Sequence, residues 1–183
     1  MVGILILVVV IILIIAWLIG TQRTLVVMDE NINNAMSQIG VQMSSRFDAL
    51  TALLELTKGY DKHESETLLQ TVQARRSVIT GKSSAKDVES QENIITEALG
   101  KISMVAEQYP DLKANENYAK TMDSVNQYEN MVRTSRLIYN DSVTKLNRTV
   151  RMFPASLIAG TLGFAQRDYL QTDDKKTEMP SMK

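Results

Sequence analysis

The chain of 183 residues contains no cysteine and one histidine, His63. The lack of cysteine excludes disulfides, thiolate metal sites, cysteine nucleophiles and a lipid-modified cysteine anchor. One histidine without cysteine does not complete a transition-metal shell or support a Ser-His-Asp arrangement. We therefore predict that the protein is not an enzyme and has no catalytic residues, no cofactor and no metal site.

Glycine and proline are scarce, with eight and three residues, and aromatic residues make up only 5% of the chain. The abundant methionine, leucine, glutamine, lysine and glutamate favour helices. The formal net charge is −1, which gives no electrostatic reason to expect a nucleic-acid partner. These features predict an all-α protein.

Charged residues are absent from Val2 to Ile19. As a helix these 18 residues would extend about 27 Å, close to the hydrocarbon thickness of a bilayer. No basic residue precedes the apolar run, and no small-x-small cleavage site lies near Gly20. We therefore expect an uncleaved transmembrane anchor over residues 1–20, with the lipid bilayer as a partner.

Two residues at the end of the apolar run are typical of a membrane interface. Trp17 lies where an interfacial aromatic residue would lie, and Arg23 follows on the aqueous side. Arg23 is also the one basic residue near either end of the run. By the positive-inside rule it favours a cytoplasmic location for the C-terminal domain.

Residues 21–171 carry the hydrophobic periodicity of an elongated up-and-down helical bundle. Apolar residues recur at three- and four-residue steps from Leu25 to Thr57, the pattern of one face of a straight helix. If Gly59 interrupts this helix, four helices are predicted, at about 25–57, 62–79, 86–108 and 116–153. If it does not, the first helix continues to Ile79 and the domain has three long helices. Residues 172–183 are polar, and we predict that they are disordered.

Local signals mark several helix ends. Gly81 lies in a predicted loop, and Ser84 with Asp87 resembles a capping box that starts the next helix. Pro110 is expected to end that helix. Asn115 or Asn117 is expected to cap the last one.

The last long helix has two columns of residues with a seven-residue spacing, as in a coiled-coil seam. Glu129 and Arg136 interrupt the second column with charge. They indicate either a polar layer that fixes helix register or a contact with a second subunit. The first column is Tyr118, Val125, Val132, Tyr139, Leu146 and Phe153, and the second is Met122, Glu129, Arg136, Val143 and Val150.

The apolar segment Ala155–Phe164 follows this helix and has two interpretations. It either plugs the end of the bundle or lies on lipid headgroups or a neighbouring subunit, with Arg148, Arg151 and Arg167 supplying positive charge. The candidate residues for packing or subunit contact are Glu129, Arg136, Tyr139, Phe153 and Phe164.

Several strings in this sequence resemble the bacterial LemA family. The most specific is Ala106-Glu107-Gln108-Tyr109-Pro110-Asp111-Leu112-Lys113-Ala114-Asn115-Glu116-Asn117, and others are Asn34–Ile39, Lys58–Tyr60, Phe153-Pro154 and Gly163-Phe164. The resemblance implies a single-pass bacterial cell-membrane protein with a four-helix type of bundle, and it implies no reaction. Thr51 and Ala52 stand where the family has proline and asparagine, so the first helix should be straighter here.

Two functions are compatible with these features. The first is a membrane-anchored scaffold that assembles as a homo-oligomer, up to a large assembly, or with an unknown protein partner. The second is a membrane-tethered sensor or signalling module that binds an unknown ligand or protein. The acidic residues around His63, which are Asp61, Glu64 and Glu66, are interpreted as a solvated helix start.

Overall fold

The structure, a computed structural model, describes residues 1–60 and 62–171, and at 62–64 it describes the backbone alone. The described residues form helices and no strand, which confirms the all-α prediction. The proposed disorder of residues 172–183 lies outside the described residues. The helices are α1 (Val2–Thr57), α2 (Lys62–Arg75), α3 (Ala85–Gln108), α4 (Pro110–Lys113), α5 (Glu116–Arg151) and α6 (Ser156–Ala159).

Helix α1 is uninterrupted over 56 residues and is therefore about 84 Å long. Its most apolar 18-residue window has a mean hydropathy of 3.6, and none of that window is buried in the protein. The first buried residue of α1 is Leu25. Length and composition thus suit the first part of α1 to crossing a membrane, and the same helix then enters the core of the bundle.

The chain breaks near Gly59, because α1 ends at Thr57 and α2 begins at Lys62. The Thr57 hydroxyl donates to the Leu54 carbonyl oxygen at 2.8 Å and lies 2.8 Å from the Ser65 hydroxyl, which joins the two helices across the break. At this end of the bundle the rings of Tyr60 and Tyr109 are 5.8 Å apart. The end of α3 therefore lies beside the end of α1.

The four long helices run up, down, up and down. Helix α1 packs chiefly against α5. The two are antiparallel, because Arg46 pairs with Glu129 whereas the earlier Asp29 pairs with Arg167, which is bonded to the later Asn147. The end of α5 consequently returns towards the apolar part of α1, as the four-helix alternative predicted.

The prediction that the second helix continues to residue 79 is wrong, because α2 ends at Arg75. Residues 76–80 are extended against α1, and the Gln91 side chain bonds both the Ser77 amide (2.8 Å) and the Arg75 carbonyl (3.3 Å). A Cβ on Gly40 would lie 2.1 Å from the carbonyl oxygen of Ile79. The missing side chain at Gly40 therefore makes room for the extended segment, and Ile79 is still buried.

The predicted caps are present at α3 and α5. Ser84 and Asp87 form a capping box, and their hydrogen bonds hold the pKa of the Asp87 carboxyl below its usual value. Asn115, one of the two candidates, caps α5 by accepting from the amides of Asn117 and Tyr118.

The apolar positions predicted for the first helix are buried from Ile32 to Thr57. In α5 the first column is also buried, with one exception. Phe153 is 78% exposed because α5 ends at Arg151, two residues earlier than predicted. The residue before a proline avoids the α region, so Phe153, which precedes Pro154, does not continue the helix.

Replacing Gly40 by alanine should destabilise the protein by on the order of 1–3 kcal/mol, because its Cβ would collide with the Ile79 carbonyl. Gly100→Ala is the matched control. Gly100 lies in α3 with no atom within 4 Å of an added Cβ, so this change should stabilise the helix by about 0.5–1 kcal/mol. Denaturant unfolding of both variants in detergent, monitored by circular dichroism, measures the difference in their free energies of unfolding. Equal stability of the two variants would contradict the close approach of Gly40 to the Ile79 carbonyl.

Candidate functional site

A layer of four charged residues crosses the interior of the bundle. Arg46 of α1 is bonded to Glu129 of α5 at 2.8 Å, and Arg136 of α5 is bonded to Glu92 of α3. The side chain of Arg46 is 6% exposed and that of Glu129 is 34% exposed. The layer therefore connects three helices, with a deeply buried cation beside a carboxylate that water partly reaches.

The charges in this layer act on one another. Burial lowers the pKa of Arg46 below its ordinary value, whereas Glu129 and Glu92 raise it and Arg136 lowers it further. The Nε atoms of Arg46 and Arg136 are buried without a hydrogen-bond partner in the described part of the chain. Buried charge is expensive unless fully paired, so we expect the layer to favour one helix register more than to add stability.

The structure thus places Glu129 and Arg136 together in the predicted polar layer. Their partners Arg46 and Glu92 come from other helices, and sequence analysis did not identify either one. Contact of the same residues with a second subunit stays a prediction.

An open groove of about 730 Å³ lies between α1 and α5. Amide side chains dominate its wall, and Asp123 is its one carboxylate among the lining residues. Sequence analysis missed this groove, although the polar face of the first helix was visible as an amide-rich stripe. The lining residues are Gln38, Gln42, Asp123, Asn126, Gln127, Asn130, Met131, Thr134, Ser135 and Ile138.

The extended segment 165–171 is fastened to α5 by two asparagines that lie seven residues apart. The Asn140 side chain donates to the carbonyl oxygen of Leu170 and accepts from its amide, both at 2.9 Å. Asn147 makes the same pair of bonds with Arg167, at 2.9 and 2.8 Å. The seven-residue spacing of the asparagines was the available sequence signal, and it was overlooked.

Tyr139 and Arg167 complete this attachment. The Tyr139 hydroxyl donates to the Asp168 carbonyl oxygen at 3.1 Å, and burial raises the pKa of that hydroxyl. Arg167 forms an ion pair with Asp29 of α1 at 2.7 Å. Tyr139 is therefore a packing residue inside the chain, and segment 165–171 joins α5 to α1.

A cap formed by Met152–Phe164, which includes α6, closes the end of the bundle nearest the apolar part of α1. Ala159 is buried and Phe164 packs partly against the core. Phe153 and Leu157 remain 78% and 68% exposed. The segment consequently does plug the bundle with one side while it leaves the other side uncovered.

The remaining predicted residues lie outside these clusters. Trp17 and Arg23 are exposed on α1, and their membrane-interface role stays a prediction. Asp61 and the side chains of His63 and Glu64 lie outside the described residues. Within residues that the structure describes, no group of three or more histidine or acidic residues is arranged to hold a metal ion.

Replacing Glu129 by glutamine should destabilise the protein by roughly 1–3 kcal/mol, because it removes a countercharge from the buried Arg46. Arg46→Met should cost less, since it leaves a carboxylate that water reaches. The double change Arg46→Met with Glu129→Leu should recover most of the loss. Denaturant unfolding of these variants and of Glu129→Leu alone measures this order. A double variant as unstable as the sum of Arg46→Met and Glu129→Leu would contradict it.

Comparison with known proteins identifies relatives of this chain. Protein LemA of Metamycoplasma hominis is 27% identical over 147 residues, which cover 79% of this chain and 66% of that protein. Magnetosome proteins MamQ 1 and MamQ 2 of Paramagnetospirillum magneticum are each 31% identical over 74 residues, 40% of this chain. The chain thus spans just under two thirds of the first relative and 27% of the other two. The sequence profile of the LemA family matches residues 35–183, and the chain belongs to the LemA family.

Proposed function

We propose that the protein is a non-enzymatic scaffold, anchored in the bacterial cell membrane by α1, that assembles with copies of itself through the α1–α5 groove. The amide lining of this groove is the observation that carries the proposal. The LemA family is not a known enzyme family. A sequence with one histidine and no cysteine also has few of the side chains on which catalysis most often depends.

The continuity of α1 supports the proposal mechanically. One helix spans the apolar segment and contributes the buried residues from Leu25 to Thr57, so the bundle is held at a fixed angle to its anchor. Copies held in one membrane are concentrated in two dimensions. Weak lateral contacts between them are strengthened by this effective concentration.

The chemistry of the groove supports contact between identical copies. In a two-fold interface, residues near the axis face their own equivalents. A carboxylate or ammonium group repels its equivalent, whereas an amide has both donors and an acceptor and can bond to another amide. Five of the lining residues are amides, and Met131 and Ile138 add exposed apolar surface.

A second candidate, a membrane-tethered sensor, is favoured by the charged layer. The Nε atoms of Arg46 and Arg136, which have no hydrogen-bond partner among the described residues, lie on the two helices that pack most extensively. A ligand or protein that supplied an acceptor would favour a different packing of α1 against α5. Because α1 continues into the apolar segment, such a change would reach the membrane. Arg23 favours a cytoplasmic bundle in either case.

Replacing Ile138 by aspartate should reduce self-assembly, because it places a charge in the groove where two copies would meet. Leu137→Asp is the matched control, since Leu137 directly precedes Ile138 and does not line the groove. Leu137 is 57% exposed and Ile138 is 48% exposed. We expect the Ile138 variant to sediment as a smaller particle in detergent, and the Leu137 variant to sediment as the parent does.

Two results would contradict the scaffold proposal. One is a parent protein that sediments as a monomer at every concentration and in reconstituted vesicles. The other is an equal loss of self-assembly in the Ile138→Asp and Leu137→Asp variants, which would mean that the groove is not the contact surface. A particle size that changed only on addition of a ligand would instead support the sensor.

A further inference from the structure

We propose that the cap Met152–Phe164 inserts into the interface of the same bilayer that α1 crosses, so that the bundle has a second contact with lipid. The uncovered face of the cap includes Met152, Phe153, Leu157 and Leu162, which are between 40% and 78% exposed. A large exposed apolar patch on a protein domain marks an interaction surface. The argument for lipid rests on position, backbone chemistry and charge.

The register of the two longest helices gives the position of the cap. Arg46 and Glu129 are bonded and therefore lie at the same level of two antiparallel helices. Met152 lies 23 residues after Glu129, and Arg23 lies 23 residues before Arg46. Because both helices rise about 1.5 Å per residue, the end of α5 lies level with Arg23, next to the end of the apolar run.

The Asp29–Arg167 ion pair independently fixes the chain that leaves the cap. It holds Arg167 against α1 nine residues beyond Gly20, or about 14 Å along the helix. The chain therefore enters the cap level with Arg23 and leaves it level with Asp29. Both levels lie within about 14 Å of Gly20, where the apolar segment of α1 ends.

The backbone of the cap is prepared for a poorly hydrated environment. The amides of Ser156, Leu157 and Ile158 donate to Met152, Pro154 and Ala155. Those of Leu162, Gly163 and Phe164 likewise donate to carbonyl groups inside the cap. Unsatisfied amides are costly away from water, and these internal bonds remove that cost for the six amides named. The segment Met152–Gln166 also contains no charged side chain.

Basic residues frame the apolar face. Arg148 and Arg151 are exposed in the last turn of α5, and Arg23 is exposed at the same level of α1. An apolar face bordered by arginines is the arrangement by which peripheral helices bind anionic lipid. Each basic residue near an anionic surface adds to that attraction.

The test uses the full chain in lipid vesicles with tryptophan as the probe. In a Trp17→Phe background, Phe153→Trp places a reporter in the cap. Val78→Trp is the matched control, because Val78 is 81% exposed, similar to Phe153 at 78%. Its neighbour Ile79 contacts Gly40, which lies about 30 Å along α1 from Gly20. We expect the reporter at position 153 to emit at shorter wavelength than the control and to be quenched by phospholipids brominated on their acyl chains.

Two outcomes would overturn the proposal. Emission and quenching at position 153 equal to those at position 78 would mean that the cap is in water. Emission at short wavelength without quenching by brominated lipid would mean that protein, either the bundle or a second copy, covers the cap.

A second comparison tests the charge of the lipid. Quenching at position 153 should be stronger in phosphatidylglycerol vesicles than in phosphatidylcholine vesicles. Arg148→Gln with Arg151→Gln should reduce that difference, with Arg23 still present, while the quenching in phosphatidylcholine stays unchanged. No difference between the two lipids in the parent would contradict the role given to the arginines.

Discussion

The structure depends on the packing of α1 against α5. Helix α1 provides most of the largest fully buried side chains, and α5 is the helix that it contacts most. The same α1 carries the apolar segment at its other end. The bundle and the anchor therefore share one backbone, and any movement of α1 within the core is also a movement of the anchor.

Burial of apolar side chains drives this packing, but polar groups decide its register. A stripe of leucine, isoleucine and methionine can slide by one turn at modest cost, because neighbouring positions are similar in size and chemistry. The Arg46–Glu129 and Arg136–Glu92 pairs cannot slide, since a shift would separate buried charges. Near the apolar part of α1, the two asparagines fix the register of segment 165–171 on α5, and the Arg167–Asp29 pair joins that segment to α1.

Much of the fold could be predicted from local patterns. The stripe from Ile32 to Thr57 and the capping box at Ser84 follow from periodicity and hydrogen-bonding chemistry that lie within a few residues. The end of α2 could not be predicted in this way. It depends on Gly40 and Gln91, which lie 39 residues before and 12 residues after Ile79 and meet the segment 76–80 only in the folded protein.

The charged layer and the exposed cap were also only partly predictable from local patterns. The seven-residue spacing singled out Glu129 and Arg136 as polar interruptions, but their partners lie on helices whose relative register no local pattern specifies. The exposure of Phe153 follows from a proline one residue later, a signal that was present but was outweighed by the heptad spacing.

The central claim is that one unbroken helix is both membrane span and core element. Because the chain has no cysteine, spin labels can be placed at two introduced cysteines, Leu13→Cys and Val41→Cys, both at exposed positions of α1. Pulsed electron resonance on the protein in vesicles should give a narrow distance distribution near the helical separation of about 42 Å. A broad distribution, or one centred well below that value, would mean that the helix bends or breaks between membrane and bundle and would contradict the account.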